Sequence, residues 1–440
     1  MRFLGVSETC DLGSLYLRLI EEGHEVRVAV TEPLALGTMA GLVPIVAEWR
    51  AELDWIRAAP DLGIILFESV SEGFGALQDG LRRDGFHVIG GSAYGDRLEN
   101  DRAYAQDLLA ELGFPRGHVW EFDNAAEAVA FLDARPARYV LKFSGPDHSS
   151  GDNYVGQTAD GRDVRAMVQA KAGAGQRFIL MAHIDGIEMG VGAYFDGERF
   201  LTPACLDWEH KRFFAGDMGE LTGEMGTVVT YDRTGSFFAR TLAPLAGRLR
   251  EGGYVGYVNL NTIVNEDGIW PLEFTCRFGY PGYAILDPLQ ETRWGDLFRI
   301  MATRSGEPFR TRPGFCTGIV LTTPPFPYTR EEIDEAVGLP VLIPDDVDRR
   351  HVHYGEVGLN ADGDLVTSGL YGWTLVVTGA GPTIAESKHD AYARAGRIIV
   401  PNLRYRLDIG DKLIGGDWTR LEALGVLDPP GAGPVTPAVR

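Results

Sequence analysis

Residues 271–279 read Pro-Leu-Glu-Phe-Thr-Cys-Arg-Phe-Gly, one carboxylate and one cation at fixed offsets on a short apolar strand that ends in glycine. Leu272, Phe274 and Cys276 alternate with Glu273, Thr275 and Arg277, so period-two geometry sends the polar side chains to one face and the apolar ones to the other. The segment before it, Gly256-Tyr257-Val258-Asn259-Leu260-Asn261-Thr262-Ile263-Val264, alternates in the same way, and Asn265-Glu266-Asp267-Gly268 between the two reads as a hairpin turn. The pattern predicts one sheet face shared by Asn259, Asn261, Glu273, Thr275 and Arg277. Two outcomes fit it: a face that simply meets water, as in a half-exposed antiparallel pair, or one that holds a charged ligand.

The chain has 440 residues, enough for two to four packed units. Its 62 acidic and 41 basic side chains leave a net charge of -21, which argues against nucleic acid and anionic membrane as partners. Lysine is scarce, limited to Lys142, Lys171, Lys211, Lys388 and Lys412, so each stands out where arginine is the default. Cys10, Cys205, Cys276 and Cys316 are far apart and lack metal-binding spacing, which argues against disulfides and structural zinc. The apolar run from Met1 to Val6 is too short for a secretory segment, and no stretch approaches about 18 apolar residues. The expectation is a cytoplasmic protein, monomer or homodimer, acting on small molecules.

Arg2–Val6, Glu25–Val30, Gly63–Phe67 and His87–Ile89 read as strands, with helices at Gly13–Glu22 and Ala76–Asp84 among them. This alternation predicts an open parallel α/β sheet over residues 1 to about 95, with a ligand crevice at its strand ends. An amphipathic helix at Arg102–Leu112 leads into a small lobe over 117–186: helix Ala125–Ala134, strand Tyr139–Phe143, a glycine- and serine-rich loop, a helix near 162–172 and strand Phe178–Ala182. The chain is then strand-rich to Phe274 and helical to Met301. Residues 307–428 carry their own strands and a helix at Thr383–Ile399, and the tail from Pro429 is expected to fray. His351-Val352-His353 reads as an ordinary exposed strand, and Tyr371–Val377 as a core strand.

The loop Ser144-Gly145-Pro146-Asp147-His148-Ser149-Ser150-Gly151-Asp152-Asn153 follows the Lys142 strand directly. Small residues with many backbone donors beside a compact ammonium suit phosphates, although no Walker A pattern is present; a surface loop with an outward lysine fits as well. Asp185-Gly186-Ile187-Glu188 offers a carboxylate suited to ribose hydroxyls, or an exposed turn acid.

In chain order these are a lysine strand, a glycine-rich loop, an apolar strand, an acid after Asp-Gly, and a Glu-x-x-x-Arg hairpin. That order resembles the ATP-grasp arrangement, and nearly the whole chain resembles the glycinamide ribonucleotide synthetase family. Asp207-Trp208-Glu209-His210-Lys211-Arg212 and Asp217-Met218-Gly219-Glu220-Leu221-Thr222-Gly223-Glu224-Met225-Gly226 look like that family's Q-D-H-K-R and D-T-G-P-N-T-G-G-M-G. The hairpin strand looks like its V-I-E-F-N-x-R-F-G-D-P-E; Asp364–Gly369, Thr383–Ser387 and Tyr405–Gly410 fit in the last part.

The resemblance implies an α/β protein with α+β character in its central lobe. Residues 1–98 would form the N-terminal substrate domain, 99–306 the ATP-grasp domain with a lid lobe at about 117–186, 307–428 a C-terminal α+β domain, and 429–440 a flexible tail. It implies ATP with Mg²⁺, or Mn²⁺ in its place, and joining of a small carboxylate, such as an amino acid, to an amine through an acyl phosphate. Carried over residue by residue, Arg102, Lys142, Ser144, Gly145, Ser149, Ser150, Gly151, Met181, Ala182, His183, Ile184 and Glu188 would bind ATP. Glu273, Thr275 and Asn261 would hold metal, and Arg277 and Lys211 would be catalytic. Ser7, Glu8, Asp11, Glu68, Ser69, Thr222, Gly223, Glu224, Met225, Gly279 and Tyr280 would meet the substrates.

The departures from the family pattern cluster. Thr275 stands where the family has asparagine as its second metal ligand, Arg102 for the lysine of L-E-G-S-K, and the hinge Met181-Ala182-His183-Ile184 lacks the acids of E-E-F-L. The first loop, G-x-G-G-R-E-H in the family, is Gly5-Val6-Ser7-Glu8-Thr9-Cys10-Asp11-Leu12-Gly13-Ser14, with two acids and no arginine. Phe67-Glu68-Ser69-Val70-Ser71-Glu72, Gly223-Glu224 and Gly279-Tyr280-Pro281-Gly282 depart as well. Three readings stand: a ligase for a different amine or amino acid, the parent phosphoribosylamine–glycine ligase of purine biosynthesis, and a nucleotide-binding scaffold without catalysis.

Overall fold

The computed structural model describes residues 1–68, 73–143, 153–172 and 177–431. Strands β1 (Arg2–Ser7), β2 (Glu25–Val30), β3 (Ile45–Val46), β4 (Gly63–Phe67) and β5 (His87–Ile89) form a parallel sheet in the order β3-β2-β1-β4-β5. Phe3, Ile64 and Leu66 pack on one face with Leu15, Tyr16 and Leu19 of the helix Gly13–Glu21, while Leu4, Val6, Ile65 and Phe67 pack on the other with Trp49, Ile56 and Leu81. Burial on both sides is why these strands read as continuous apolar runs. The strand order reverses at β1 and β4, so the crevice beyond their carboxyl ends is flanked by the loop after Ser7 and by Glu68.

β6 (Val119–Phe122), β7 (Tyr139–Phe143), β8 (Tyr154–Val155) and β9 (Phe178–Ala182) make a small antiparallel sheet in the order β6-β9-β7-β8. Helices Ala125–Ala134 and Arg162–Lys171 close it over a core of its own, which includes Leu132, Leu141, Val164, Val168 and Leu180.

The remaining strands are β10 (Ile187–Phe195), β11 (Cys205–Glu209), the hairpin β12 (Arg212–Phe214) and β13 (Met218–Leu221), β14 (Gly226–Thr230), β15 (Gly256–Asn265), β16 (Gly268–Thr275), β17 (Phe315–Thr322), β18 (Val352–Tyr354), the pair β19 (Val357–Leu359) and β20 (Leu365–Thr367), and β21 (Trp373–Gly381). Eight of them form one antiparallel sheet, β16-β15-β10-β11-β14-β17-β21-β18. The C-terminal segment 307–428 thus extends the central sheet through β17 on β14, Gly226 opposite Ile319.

The hairpin closes with Asn265 opposite Gly268, and Asn261 faces Glu273 and Asn259 faces Thr275. A bulge between Asn261 and Thr262 lets Pro271 sit opposite Thr262, tolerable because β16 is an edge strand. The helix Arg102–Glu111 covers that edge, with Gln106 Nε2 donating to the carbonyls of Pro271 (3.4 Å) and Leu272 (3.3 Å).

The α/β organisation with an N-terminal parallel sheet is the one expected. Two local expectations fail. The last long helix is Ile384–Ala395, capped by the Thr383 side chain and stopped before Ile399, which bridges to Leu342 instead. His353 is 1% exposed, packed edge-on against Tyr283 at 6.3 Å, so the histidine pair does not mark an exposed strand. The four cysteines are free and buried, and no helix among the described residues is long and apolar enough to cross a membrane.

Candidate active site

Rungs of the large sheet build the site floor. Glu273, Asn261, Gly190, Asp207 and Val229 lie side by side on β16, β15, β10, β11 and β14; the next rung is Thr275, Asn259, Gly192 and Cys205. Glu188, two residues before Gly190, and Glu209, two after Asp207, share the face by the strand period. A Cβ on Gly190 would run into the Asp207 carboxylate, and one on Gly192 into the Tyr257 hydroxyl. The two glycines let those side chains lie across the floor.

Lys211 ties the acids together, its Nζ lying 3.1 Å from Glu209 Oε2, 3.2 Å from Glu273 Oε1 and 3.9 Å from Glu188 Oε1. Burial alone would lower its pKa, but Glu209, Glu273 and Glu188 together hold it well above the lysine range. Glu273 is held below its ordinary value against the effect of burial, by Lys211 first and then by Lys142 and Arg102. Lys142 in turn is lowered to about 8, by burial and by its neighbour Arg102. Glu273 therefore stays ionised in a focus of three cations, a charge pattern suited to a metal and phosphates.

At the lobe end, Arg102 Nη2 reaches Met181 Sδ at 3.7 Å. The amides of Ala182 and His183 donate to the carbonyls of His118 and Arg138. Ser144, Gly145, Ser149, Ser150 and Gly151, and Ser69 on the substrate side, lie outside the described residues.

Beside the floor lies a cavity of about 290 Å³ whose wall includes Asp11, Gly223, Glu224, Arg277, Gly279 and Tyr280, together with Lys211, Glu273, Thr275 and Asn261. Arg277 Nε donates to Glu99 Oε1 at 2.9 Å, and Glu99 also accepts from the Cys276 amide at 2.8 Å. Tyr280 stacks on Trp373 (5.1 Å, 18°), which stacks on Tyr371 (4.7 Å, 30°). The buried Glu356 accepts from the amides of Leu370, Tyr371, Gly372 and Trp373, and so fixes the turn that presents these rings.

Not every expected substrate residue meets the cavity. Ser7 accepts from the Cys10 amide at 2.6 Å, and Glu68 accepts from the Leu12 amide at 2.5 Å and the Tyr16 hydroxyl at 2.7 Å; both shape the loop and present Asp11 rather than face a ligand. Glu8 lies beside Asp11, whose pKa it helps to raise, after burial. Thr222 donates to the Lys211 carbonyl, and Met225 is buried with Phe213 and Phe326. Asp207, Tyr257, Glu356 and Trp373 were not singled out as site residues, and Asn259 only as a member of the polar hairpin face. The glycines alternating in β10 were a signal for Asp207, Asn259 and Tyr257, since glycine inside a strand marks close approach; nothing local marked Glu356 or Trp373.

Residues 100–283 match the family described as phosphoribosylglycinamide synthetase, ATP-grasp (A) domain. The fold is similar to that of phosphoribosylamine–glycine ligase from Thermotoga maritima, with TM-score 0.68 at 20% identity over 93% of this chain and 100% of that one. It is also similar to the biotin carboxylase domain of the 2-oxoglutarate carboxylase from Hydrogenobacter thermophilus, solved with MgADP, ADP and bicarbonate (TM-score 0.57, 11% identity, 91% of each chain). The protein is an ATP-grasp enzyme, a carboxylate–amine ligase that forms a C–N bond. In sequence, the phosphoribosylamine–glycine ligase of Streptomyces coelicolor is 30% identical over 353 residues, 77% of this chain and 81% of that protein. The enzyme of the same name from Neisseria meningitidis serogroup B is 27% identical over 357 residues, with the same coverage. The chain belongs to the phosphoribosylamine–glycine ligase family.

Proposed function

We propose that this ligase joins its carboxylate to an amine that carries no phosphate. The observation that supports the reading is Asp11, an acid in the cavity wall with Glu8 beside it. The loop from Ser7 to Ser14 supplies no cation, so a substrate phosphate there would meet negative charge.

Carboxylates are poor acyl donors. On this reading a carboxylate oxygen attacks the γ-phosphorus of ATP and ADP leaves; the amine nitrogen then attacks the acyl carbon, loses a proton, and phosphate departs. Phosphoryl transfer requires alignment and neutralised charge rather than a protein nucleophile. Lys142 and Arg102 hold the phosphates, Glu188 the ribose, and the backbone of Met181–Ile184 faces the adenine. Glu273, with Asn261 and Thr275 beside it, provides the oxygen donors that Mg²⁺ prefers and Mn²⁺ accepts; the bound metal would neutralise phosphate oxygens. Arg277, held by Glu99, presents its fork to the substrate carboxylate or the transferring phosphoryl group, and Lys211 turns from Glu273 to a phosphate oxygen. Residues 1–98 supply the amine-side wall, the lobe at 117–186 covers the nucleotide, and 307–428 close the cavity through Trp373.

Phosphate release, measured with ATP, Mg²⁺ and panels of amino acids and amines, tests the reading. Turnover with an unphosphorylated amine supports it. Turnover confined to glycine with phosphoribosylamine overturns it in favour of the parent activity, and nucleotide binding without turnover on any pair overturns it in favour of a scaffold.

A further inference from the structure

A second cavity, of about 500 Å³, shares no lining residue with the first; Arg18 of the helix Gly13–Glu21, Asp287, Gln290, Arg312, Arg350 and His351 stand in its wall. The helix Gly282–Leu286 contributes to the active cavity and the residues that follow it, Asp287–Gln290, to this one, so one run of chain separates the two. The wall holds three arginines against one acid, in a protein whose net charge is -21. Arg312 is exposed, and its guanidinium has no hydrogen-bond or ion-pair partner among the described residues. Arg350 sits on Asp348, two residues before it, at 2.7 and 3.0 Å, with 78% of its side chain exposed. Arg18 is fixed more firmly: Nη2 donates to the Arg350 carbonyl at 2.8 Å, Nη1 to Glu21 at 2.9 Å, and Nε lies 3.4 Å from Asp287 Oδ2. Asp287 is engaged at its other oxygen as well, by Trp294 Nε1 at 2.7 Å, and so is not open to a cation.

We propose that this cavity is a second ligand site, which binds a small organic dianion whose charge is carried by phosphate or carboxylate groups. It is independent of the choice of amine, because none of its residues belongs to the active cavity. The three arginines come from separate segments, the helix Gly13–Glu21, the turn before β17 and the turn before β18, and only the tertiary fold brings them to one cavity. A guanidinium presents a planar fork that pairs two oxygens of a phosphate or carboxylate at once. An exposed pair such as Arg350–Asp348 contributes about 1 kcal/mol or less, so a doubly charged ligand can take Arg350 from its present partner, and Arg312 has none to leave. Beside these polar groups, Pro288, Leu289, Pro313, Ala380 and Pro382 give the cavity apolar surface. A bare inorganic ion would leave that surface unused, whereas the carbon body of an organic anion covers it, the usual division of labour in a small-molecule pocket.

Calorimetric titration of the full-length protein tests this, with MgADP in excess so that the phosphate end of the active cavity is filled. The probes are phenyl phosphate and isophthalate, aromatic dianions that carry their charge on a phosphate and on two carboxylates. At least one is expected to bind at a single site. Arg312→Glu should weaken that binding about ten-fold or more, the effect of losing a hydrogen bond between charged groups. Arg162→Glu, the same charge change at a side chain 77% exposed in the small lobe, should leave it within about two-fold, because distant exposed charges are screened. Binding of phenyl phosphate alone assigns a phosphate-bearing ligand, binding of isophthalate alone a dicarboxylate, and equal binding a site that reads the charge of either group; each supports the proposal. Binding of neither probe, binding that survives Arg312→Glu, or equal losses in the two variants overturns it. Should Arg312→Glu fail to fold, Arg350→Glu takes its place in the comparison.

Discussion

Lys211 reaches across the mouth of the cavity to Glu273, its Nζ 3.2 Å from Oε1, while the same ammonium stays 3.1 Å from Glu209. The one cation therefore keeps apart carboxylates from β11, β10 and β16 that would otherwise repel. Without it, the acids and an incoming phosphate lose one of the cations that neutralise them. Lys211→Met should lower kcat for phosphate release by about 100- to 1,000-fold and lower the melting temperature as well. Steady-state phosphate release and a thermal melt check both; a variant with wild-type kcat would remove Lys211 from the catalytic groups.

Glu273 has a half-exposed side chain on an edge strand, so truncating it leaves little buried damage. Glu273→Ala should abolish phosphate release and leave the circular dichroism spectrum unchanged. Unchanged turnover in that variant would sink the metal-ligand assignment.

Glu99 does not itself line the cavity, yet it holds Arg277 through Nε and the strand end through the Cys276 amide. It is a positioning residue. Glu99→Ala should cut kcat by about 10- to 100-fold, the effect of a small misplacement of a clamping group, while the affinity for ATP stays unchanged. Glu99→Gln, which can still accept a hydrogen bond, should recover part of the loss. Equal effects of both substitutions on kcat and nucleotide affinity would argue for general disorder instead.

Burial pushes three carboxyls up: Glu68 to about 8, with Asp11 adding to it; Asp207 to about 8, with Glu209 adding to it; and Glu356 to about 7. For an acid whose folded pKa is raised, the folded state binds more protons than the unfolded one between the two values. Its stabilising contribution is complete below the ordinary carboxyl pKa and is lost as pH rises through the folded value. Calorimetric melts should show the melting temperature falling by several degrees between about pH 5 and pH 8.5, and Glu68→Gln should flatten that slope. A melting temperature that climbs through this window would contradict the assignment.

The hairpin around Glu273 was legible because alternation and a two-residue turn are local: the residues that define the pattern also define the strand. The same holds for the buried β1 and β4 strands and for the ordered motifs that resemble the ATP-grasp class, since each motif is contiguous. Lys142, Glu188, Lys211, Glu273 and Arg277 were singled out this way. The contact between Asp207 and Asn259 was not, because the two are 52 residues apart and meet only when β10, bare at Gly190 and Gly192, lies between β11 and β15. The partners of Glu68 were hidden for the same reason: its acidity was visible, but the Leu12 amide and Tyr16 hydroxyl that donate to it belong to another element. Short-range periodicity thus determined the strands, and the order of contiguous motifs carried the resemblance to the class and the charged residues proposed for the transfer site. The tertiary packing alone decided which acids are satisfied by the protein and which are left facing a cavity, because an orphaned oxygen is a property of every strand around it and not of its own.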